Sequence, residues 1–203
     1  MAYDTIASEE SIEKTIVALK EHGITAYVVE SSEAAQMKVQ ELIPEASEVM
    51  TMTSVTLKET GIADLIDASG KYDSVRNKLN AMDSATQGRE MRKLGAGPDY
   101  AIGSVHAISE TGEVLMASNT GSQLPAYIYG AGKVVWVVGA QKITDSLEEA
   151  NKRVVEYVLP LESQRAHEAY GVPASAINKL VTFYGESNPD RISMVIVKEK
   201  LGF

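Results

Sequence analysis

Residues 104–123, SVHAISETGEVLMASNTGSQ, contain two apolar runs separated by a turn signal. The segments 100–108 and 114–118 are rich in strand-forming residues, and Thr111-Gly112 lies between them. This pattern predicts an antiparallel hairpin near residues 100–118. Four of the last five residues of the quoted segment carry hydrogen-bonding side chains. The segment therefore also predicts a small-molecule pocket at the end of a sheet.

The chain before this hairpin alternates predicted strands with predicted helices. Strands are expected at residues 24–29 and 48–52, with a helix at residues 32–43 between them. Thr56 with Glu59 fits a capping box that opens the next helix. Two successive strand–helix units predict a parallel sheet with right-handed crossovers.

The second half of the chain contains two more predicted strands, at residues 134–138 and 192–197. The last one is apolar at almost every position, which is typical of a strand buried on both faces. A helix capped by Asp145 is expected to end near Leu159. Because no repeat or polar linker divides the chain, we expect residues 1–203 to form a single α/β domain. Its predicted architecture is a Rossmann-like, mostly parallel sheet flanked by helices.

Composition narrows the classes of function. The chain has no cysteine, so it cannot supply disulfides, thiolate zinc ligands, a cysteine nucleophile or iron–sulfur ligands. A net charge of -9 argues against a nucleic-acid interface, which requires clustered Lys and Arg. Its apolar runs are too short to cross a bilayer, and its first residues lack the pattern of a signal peptide. We therefore expect a cytoplasmic protein that binds neither nucleic acid nor membrane.

Several short motifs resemble those of the lactate-utilisation domain (LUD) family. They are SVTLKETGI (54–62), PDYAIG (98–103), AISETG (107–112), GSQLP (121–125), VVGAQK (137–142), YGVP (170–173), NKL (178–180), PDRI (189–192) and LGF (201–203). The resemblance implies a fold similar to the NagB/RpiA/CoA-transferase superfamily, which includes sugar-phosphate isomerases, CoA transferases and 5-formyltetrahydrofolate cyclo-ligases. It also implies a link to bacterial lactate oxidation alongside iron–sulfur partner proteins. Without cysteine, this chain could accompany such clusters but not hold them.

Two polar segments are candidates for binding a ligand. Thr53, Ser54 and Thr56 lie where the second predicted strand leads into a helix, and hydroxyls beside free backbone N–H groups suit a phosphate or a carboxylate. The second segment consists of Asn119, Thr120, Gly121, Ser122 and Gln123. Its glycine allows close approach of the backbone to a ligand. The alternatives are a helix cap for the first segment and ordinary turn geometry for the second.

Three further side chains carry the candidate chemistry, and Ser104 beside them is a further candidate for binding the substrate. Glu110, at a strand end near Ser104 and His106, is the candidate general base or acyl-accepting nucleophile. His106 is a second catalytic candidate or a hydrogen-bonded wall of the pocket. Lys142 follows a strand at its carboxyl end, where open α/β sheets bind ligands, so it is expected to face an anion. Glu110 and Lys142 could instead be solvated surface residues. No metal is expected, because Glu110 and His106 are too few ligands.

The sequence leaves more than one function open, and whether the chain is an enzyme is undecided. The leading hypothesis is a metabolic protein of the lactate-utilisation type that binds a small anionic metabolite, with transferase- or isomerase-like chemistry and no cofactor. The alternative is a non-catalytic assembly or regulatory subunit for iron–sulfur lactate-oxidising partners. A third hypothesis is self-association as a homodimer through apolar residues such as those at 126–129.

Overall fold

The structure, a computed structural model that describes residues 3–203, contains ten strands in two sheets. The strands are β1 Thr25–Val29, β2 Glu48–Thr51, β3 Asp73–Ser74, β4 Tyr100–Gly103, β5 Ala107–Ser109, β6 Val114–Ser118, β7 Lys133–Gly139, β8 Ile143–Thr144, β9 Lys179–Phe183 and β10 Ile192–Val197. The first sheet is parallel throughout, in the order β1-β10-β7-β4-β2-β3. The second has the order β8-β5-β6-β9, with β6 antiparallel to both neighbours.

Helices cover the first sheet and one side of the second. They are α1 Glu9–Glu21, α2 Ser32–Leu42, α3 Val55–Glu59, α4 Ile62–Asp67, α5 Val75–Asn80, α6 Ser84–Ala96, α7 Leu147–Lys152 and α8 Leu159–Tyr170. Short π-helical segments at Ala126–Gly130 and Arg153–Val158 and a 3₁₀ turn at Ala140–Lys142 complete the regular structure. No helix within residues 3–203 is both long enough and apolar enough to span a membrane.

Strand β7 shows why the first sheet is covered on both faces. Its side chains alternate between two hydrophobic clusters: Val134, Trp136 and Val138 belong to one. Val135 and Val137 belong to the other, which α2, α3 and α4 complete. A strand alternates its side chains between the two faces, so a continuous apolar run requires a core on each side.

The predicted α/β architecture is confirmed, and the predicted hairpin is β5–β6, with Ala107 opposite Leu115. A single strand over residues 100–108 was wrong. The chain leaves the first sheet at Gly103 and enters the second at Ala107. Between the strands, the Ser104 hydroxyl and the Val105 carbonyl oxygen contact Lys142, and the His106 ring contacts the Ala117 N–H.

Two predicted helix starts also differ. The hydroxyl of Ser54, not Thr56, caps α3 by accepting the Leu57 N–H at 3.3 Å. Ser146, not Asp145, caps α7. In both cases the chain becomes helical immediately after a serine with extended backbone angles, which leaves that hydroxyl free to reach the first turn.

The helix expected to end near Leu159 instead continues to Tyr170 across Pro160. The hydrogen bonding changes to the wider π pattern over Arg153–Val158, just before this proline. Proline has no N–H to donate to the preceding turn, and a π segment is one way in which a helix accommodates the missing bond.

Candidate functional site

A lysine is buried at the carboxyl edge of the first sheet, where its strands end. Lys142 is 2% exposed and closes the 3₁₀ turn that follows β7. Its Nζ atom lies 3.1 Å from Thr56 Oγ1, 3.2 Å from Ser104 Oγ and 3.1 Å from the Val105 carbonyl oxygen. Thr56 follows β2, and the other two follow β4. The connections after three neighbouring strands therefore meet at one nitrogen atom, and we call these four residues the Lys142 cluster.

Burial governs the charge of this lysine. Desolvation, together with the nearby Arg153 guanidinium, lowers the pKa of Lys142 from its usual 10.5 to about 7, and Glu59 opposes the change only in part. Among residues 3–203, no carboxylate lies within 4.0 Å of Nζ. The ammonium thus sits among neutral oxygens, and near pH 7 the neutral amine is well populated.

A second buried cation lies close by. Arg153, in the π segment after α7, is 0% exposed. Its guanidinium donates to the carbonyl oxygens of His106 and Tyr3 and lies 5.2 Å from the centre of the Tyr157 ring. Its Nε is buried without a partner among the described residues. Burial lowers the pKa of Arg153 to about 10, so it stays charged at neutral pH.

His106 is held as a neutral hydrogen-bond donor. Its Nδ1 accepts the backbone N–H of Ala117 at 3.1 Å, which places the ring proton on Nε2. Burial, followed by the charges of Lys142 and Arg153, lowers the pKa of His106 to about 3. The half-buried ring is therefore uncharged at neutral pH. Such a ring suits donation from Nε2 better than the proton abstraction considered from sequence.

The polar segment after β2 contributes unequally to this site. Thr56 joins the Lys142 cluster, and its hydroxyl donates to the Leu201 carbonyl oxygen at 3.2 Å. Ser54 is half-buried and uses its hydroxyl to cap α3, which is the alternative weighed for it from sequence. Thr53 is exposed at the same edge. That these residues bind a ligand stays a prediction.

The second polar segment lies at the end of β6 and is held by neighbours other than Lys142. Its internal and external bonds include Asn119 to Asn178, Thr120 to Ser122, Gln123 to Ser118 and Gln123 to Ala117. Gly121 has φ +86, and a Cβ there would lie 2.8 Å from Lys179 Cδ. Gln123 and His106 both bond the backbone of Ala117. The segment thus approaches His106 but forms no hydrogen bond with the Lys142 cluster.

The structure does not bring Glu110 to this cluster. Its carboxylate, at the end of β5, lies 3.9 Å from Lys14 Nζ on α1. Together with Asp145 it lines two adjoining clefts of about 350 and 530 Å³. Neither Lys142 nor His106 lines either cleft. A catalytic role for Glu110 stays a prediction, and it would operate at a different place from Lys142.

Three residues at or near the site were not identified from the sequence. Arg153 looks like any basic residue of an amphipathic helix until its burial is known. Arg76 donates from Nε and Nη2 to the Thr51 carbonyl oxygen at 2.9 and 2.6 Å. The Tyr127 hydroxyl is buried without a hydrogen-bond partner in the described part of the chain and faces Gly103, where a Cβ would lie 1.7 Å from it. Only Gly103 gave a sequence signal, as a glycine at a strand end.

Comparison with known proteins identifies the family. A DUF162 family protein from Deinococcus radiodurans, known from a crystal structure at 1.70 Å resolution, shares the fold with a TM-score of 0.59. The alignment covers 95% of this chain and 99% of that chain at 13% sequence identity, which is similarity of fold alone. No curated protein matches the chain. The family model of the LUD domain matches residues 12–202, and the chain therefore belongs to the LUD domain family.

Proposed function

We propose that this LUD-family chain is a cytoplasmic protein of lactate-utilisation type that binds a small anionic metabolite at the carboxyl edge of its first sheet. The observation that carries the proposal is Lys142, a buried cation without a carboxylate partner among residues 3–203. A buried charge of this kind is unfavourable unless a counter-charge arrives. Open α/β sheets bind their ligands at this edge.

The surroundings favour a carboxylate or a phosphate over a neutral ligand. Arg153 adds a second positive charge, and the neutral His106 ring offers an N–H donor. Ser104 and His106 are half-buried rather than sealed, and we propose that a ligand reaches the charge past these two residues. The expected ligands are small hydroxy- or keto-acids, sugar phosphates or CoA derivatives.

Binding of an anion would be coupled to uptake of a proton. The pKa of Lys142 is about 7, and a bound negative charge stabilises its protonated form. Affinity should therefore rise as the pH falls from 8 to 6. Thermal-shift measurements with lactate, pyruvate, sugar phosphates and acyl-CoAs at both pH values test this. A ligand at about 100 times its Kd stabilises the fold by about 2.7 kcal/mol.

Lys142→Met is the informative variant, and Lys152→Met is its matched control. Lys152 is exposed and paired with Glu148 and Glu149, so its loss leaves the site intact. We expect ligand stabilisation to vanish in Lys142→Met and to persist in Lys152→Met. Equal stabilisation of both variants, or none of the wild type by any of these anions, would contradict the proposal.

A second candidate function is a non-catalytic subunit that supports iron–sulfur lactate-oxidising partners. It is favoured by β9, an edge strand whose Leu180 is 41% exposed and is followed by Tyr184 at 64%. Exposed edge strands with apolar side chains commonly pair with other chains. Affinity capture from cells grown on lactate, with Leu180→Lys as the comparison, should recover an oxidoreductase with the wild type only. Equal recovery with the variant would exclude this strand as the interface.

A further inference from the structure

The hydrogen bonds around Lys142 Nζ are not equivalent. The Val105 carbonyl oxygen can only accept. Thr56 also accepts from Nζ, because its own proton is directed to the Leu201 carbonyl oxygen at 3.2 Å. Ser104 differs, since its hydroxyl has only a long alternative acceptor, the Val105 carbonyl oxygen at 3.5 Å. When Nζ is a neutral amine with two N–H bonds, Ser104 is the one neighbour of the three able to donate to its lone pair.

From this arrangement we propose that Ser104 and Lys142 form a nucleophile–base pair that transfers an acyl group from a carboxylic ester or thioester to the Ser104 hydroxyl. The distance between Oγ and Nζ is 3.2 Å, which is within reach for proton transfer. Thr56 and Val105 fix the amine from the other side. Serine with lysine as its base is a recognised variant of the serine nucleophile system.

The reaction requires no oxidant and no metal. Ser104 Oγ attacks the acyl carbonyl carbon while its proton passes to Lys142 Nζ, and a new C–O bond forms. Collapse of the intermediate breaks the bond to the leaving thiol or alcohol, which takes the proton from Nζ. A water molecule, deprotonated by Nζ, then attacks the acyl-serine. The carboxylic acid is released as the C–Oγ bond breaks and Ser104 regains its proton.

His106 and Arg153 have supporting roles in this step. A negative charge develops on the carbonyl oxygen as Ser104 attacks, and donors placed beforehand stabilise it. His106 lies two residues after Ser104 and keeps its Nε2 proton at neutral pH. Arg153 keeps its charge throughout and favours the neutral form of Lys142. The inference rests on the proposed binding site, because the acid released is the small anion expected there.

Covalent labelling of the purified full-length chain tests the pair. The protein is incubated with p-nitrophenyl acetate, release of nitrophenolate is followed by absorbance, and the acetylated residue is identified by mass spectrometry. We expect one acetyl group on Ser104 and a rate that rises with pH, with an inflection near pH 7. The charged groups that shift the pKa of Lys142 are Arg153 and Glu59, and Arg153, with a pKa of about 10, keeps its charge across pH 6 to 8. His106 stays neutral there.

Variants make the result decisive. Ser104→Ala should abolish the adduct, and Lys142→Arg should lower the rate by at least about 100-fold because it keeps the charge but removes the base. Ser187→Ala, which removes an exposed serine far along the chain, is the matched control and should react as the wild type. No adduct, an adduct on another residue, or a rate independent of pH would overturn the pair. Stabilisation of an unreactive protein by carboxylates would leave anion binding intact, and absence of both would end both proposals.

Discussion

The two edges of the first sheet bury positive charge in different ways. At the amino edge, Arg191 precedes β10 and is 8% exposed. Its Nη1 contacts Glu186 Oε2 at 2.7 Å, and its Nε and Nη2 donate to the carbonyl oxygens of Ala131, Ala126 and Tyr127. At the carboxyl edge, Lys142 and Arg153 are buried at least as deeply but have no carboxylate partner within residues 3–203.

The difference separates a structural charge from charges for which we propose a function. Arg191 neutralises a carboxylate and ties the loop before β10 to the end of the Ala126–Gly130 segment. Within residues 3–203, the Nε of Arg153 has no hydrogen-bond partner, and Lys142 has no counter-ion and a pKa lowered by burial. A fold that pairs one buried cation and leaves two unpaired is costly unless the unpaired charges act on something else.

The largest expected effect comes from breaking the amino-edge pair. Arg191→Met leaves the half-buried Glu186 carboxylate without its partner and removes the Arg191 donors from three carbonyl oxygens. Removal of one member of a buried pair typically costs about 3–5 kcal/mol. Urea denaturation should show a decrease of this order in the free energy of unfolding. A decrease below about 1 kcal/mol would contradict the proposed difference between the two edges.

Lys142→Met should change the free energy of unfolding much less at pH 7, by about 1 kcal/mol, because loss of an uncompensated charge offsets the unpaired Val105 oxygen. The pH dependence should change more. The folded pKa of about 7 lies below the usual 10.5, so the unfolded chain binds more protons between these values. Wild-type stability relative to the variant should therefore rise with pH across this window. A constant difference would mean that Lys142 is not desolvated.

His106→Gln tests the neutral ring. The folded pKa of about 3 lies below the usual 6.5, so the stability that the neutral ring provides above pH 6.5 is lost as the pH falls towards 3. Glutamine keeps an acceptor for the Ala117 N–H but cannot titrate. Melting temperatures at pH 7.5 and 4.5 should fall less for the variant than for the wild type. An equal fall in both proteins would contradict the assignment.

The smallest effect is expected at Glu110. Its carboxylate is 3.9 Å from Lys14 Nζ, whose side chain is 55% exposed, and exposed pairs of this kind contribute little. Glu110→Gln should shift the free energy of unfolding by less than about 0.5 kcal/mol in urea denaturation. A shift above 1 kcal/mol would mean a stronger local role. The acetylation rate of the same variant tests the catalytic role predicted from sequence, and loss of the rate would support it.

The sequence predicted the positions of most strands in the chain, but not which strands lie side by side in a sheet. Thr56 and Lys142 were each selected for lying after a strand, and Ser104 for lying near Glu110 and His106, but only the order β7-β4-β2 brings the three together. That order is set by long-range packing, which a local pattern does not contain. The same limit explains why β9 was not predicted from the sequence, because its partner β6 lies some sixty residues earlier in the chain.

Glu110 and Arg153 show two opposite errors of the sequence analysis: Glu110 was placed near His106, from which the structure separates it, and the buried Arg153 was overlooked. Glu110 was placed near His106 because the two are close in sequence, yet the hairpin carries Glu110 to the side of α1. Arg153 was overlooked because a basic residue in a polar helix is usually solvated. Its burial follows from the packing of the segment after α7 against the second sheet, where Val154 joins Ala107 and Leu115. The side of the hairpin on which Glu110 lies and the burial of Arg153 both depend on the tertiary structure, which a local sequence pattern does not contain.

The chain passes directly from the first sheet into the second at two places, residues 104–106 and 140–142, and these connections carry Ser104 and Lys142. A tilt of one sheet against the other that displaces one connection relative to the other would change the separation of Oγ and Nζ while leaving the strands unaltered. The distance between these two atoms would then depend on the angle between the two sheets. A partner or ligand that bridges the sheets could set it from a distance.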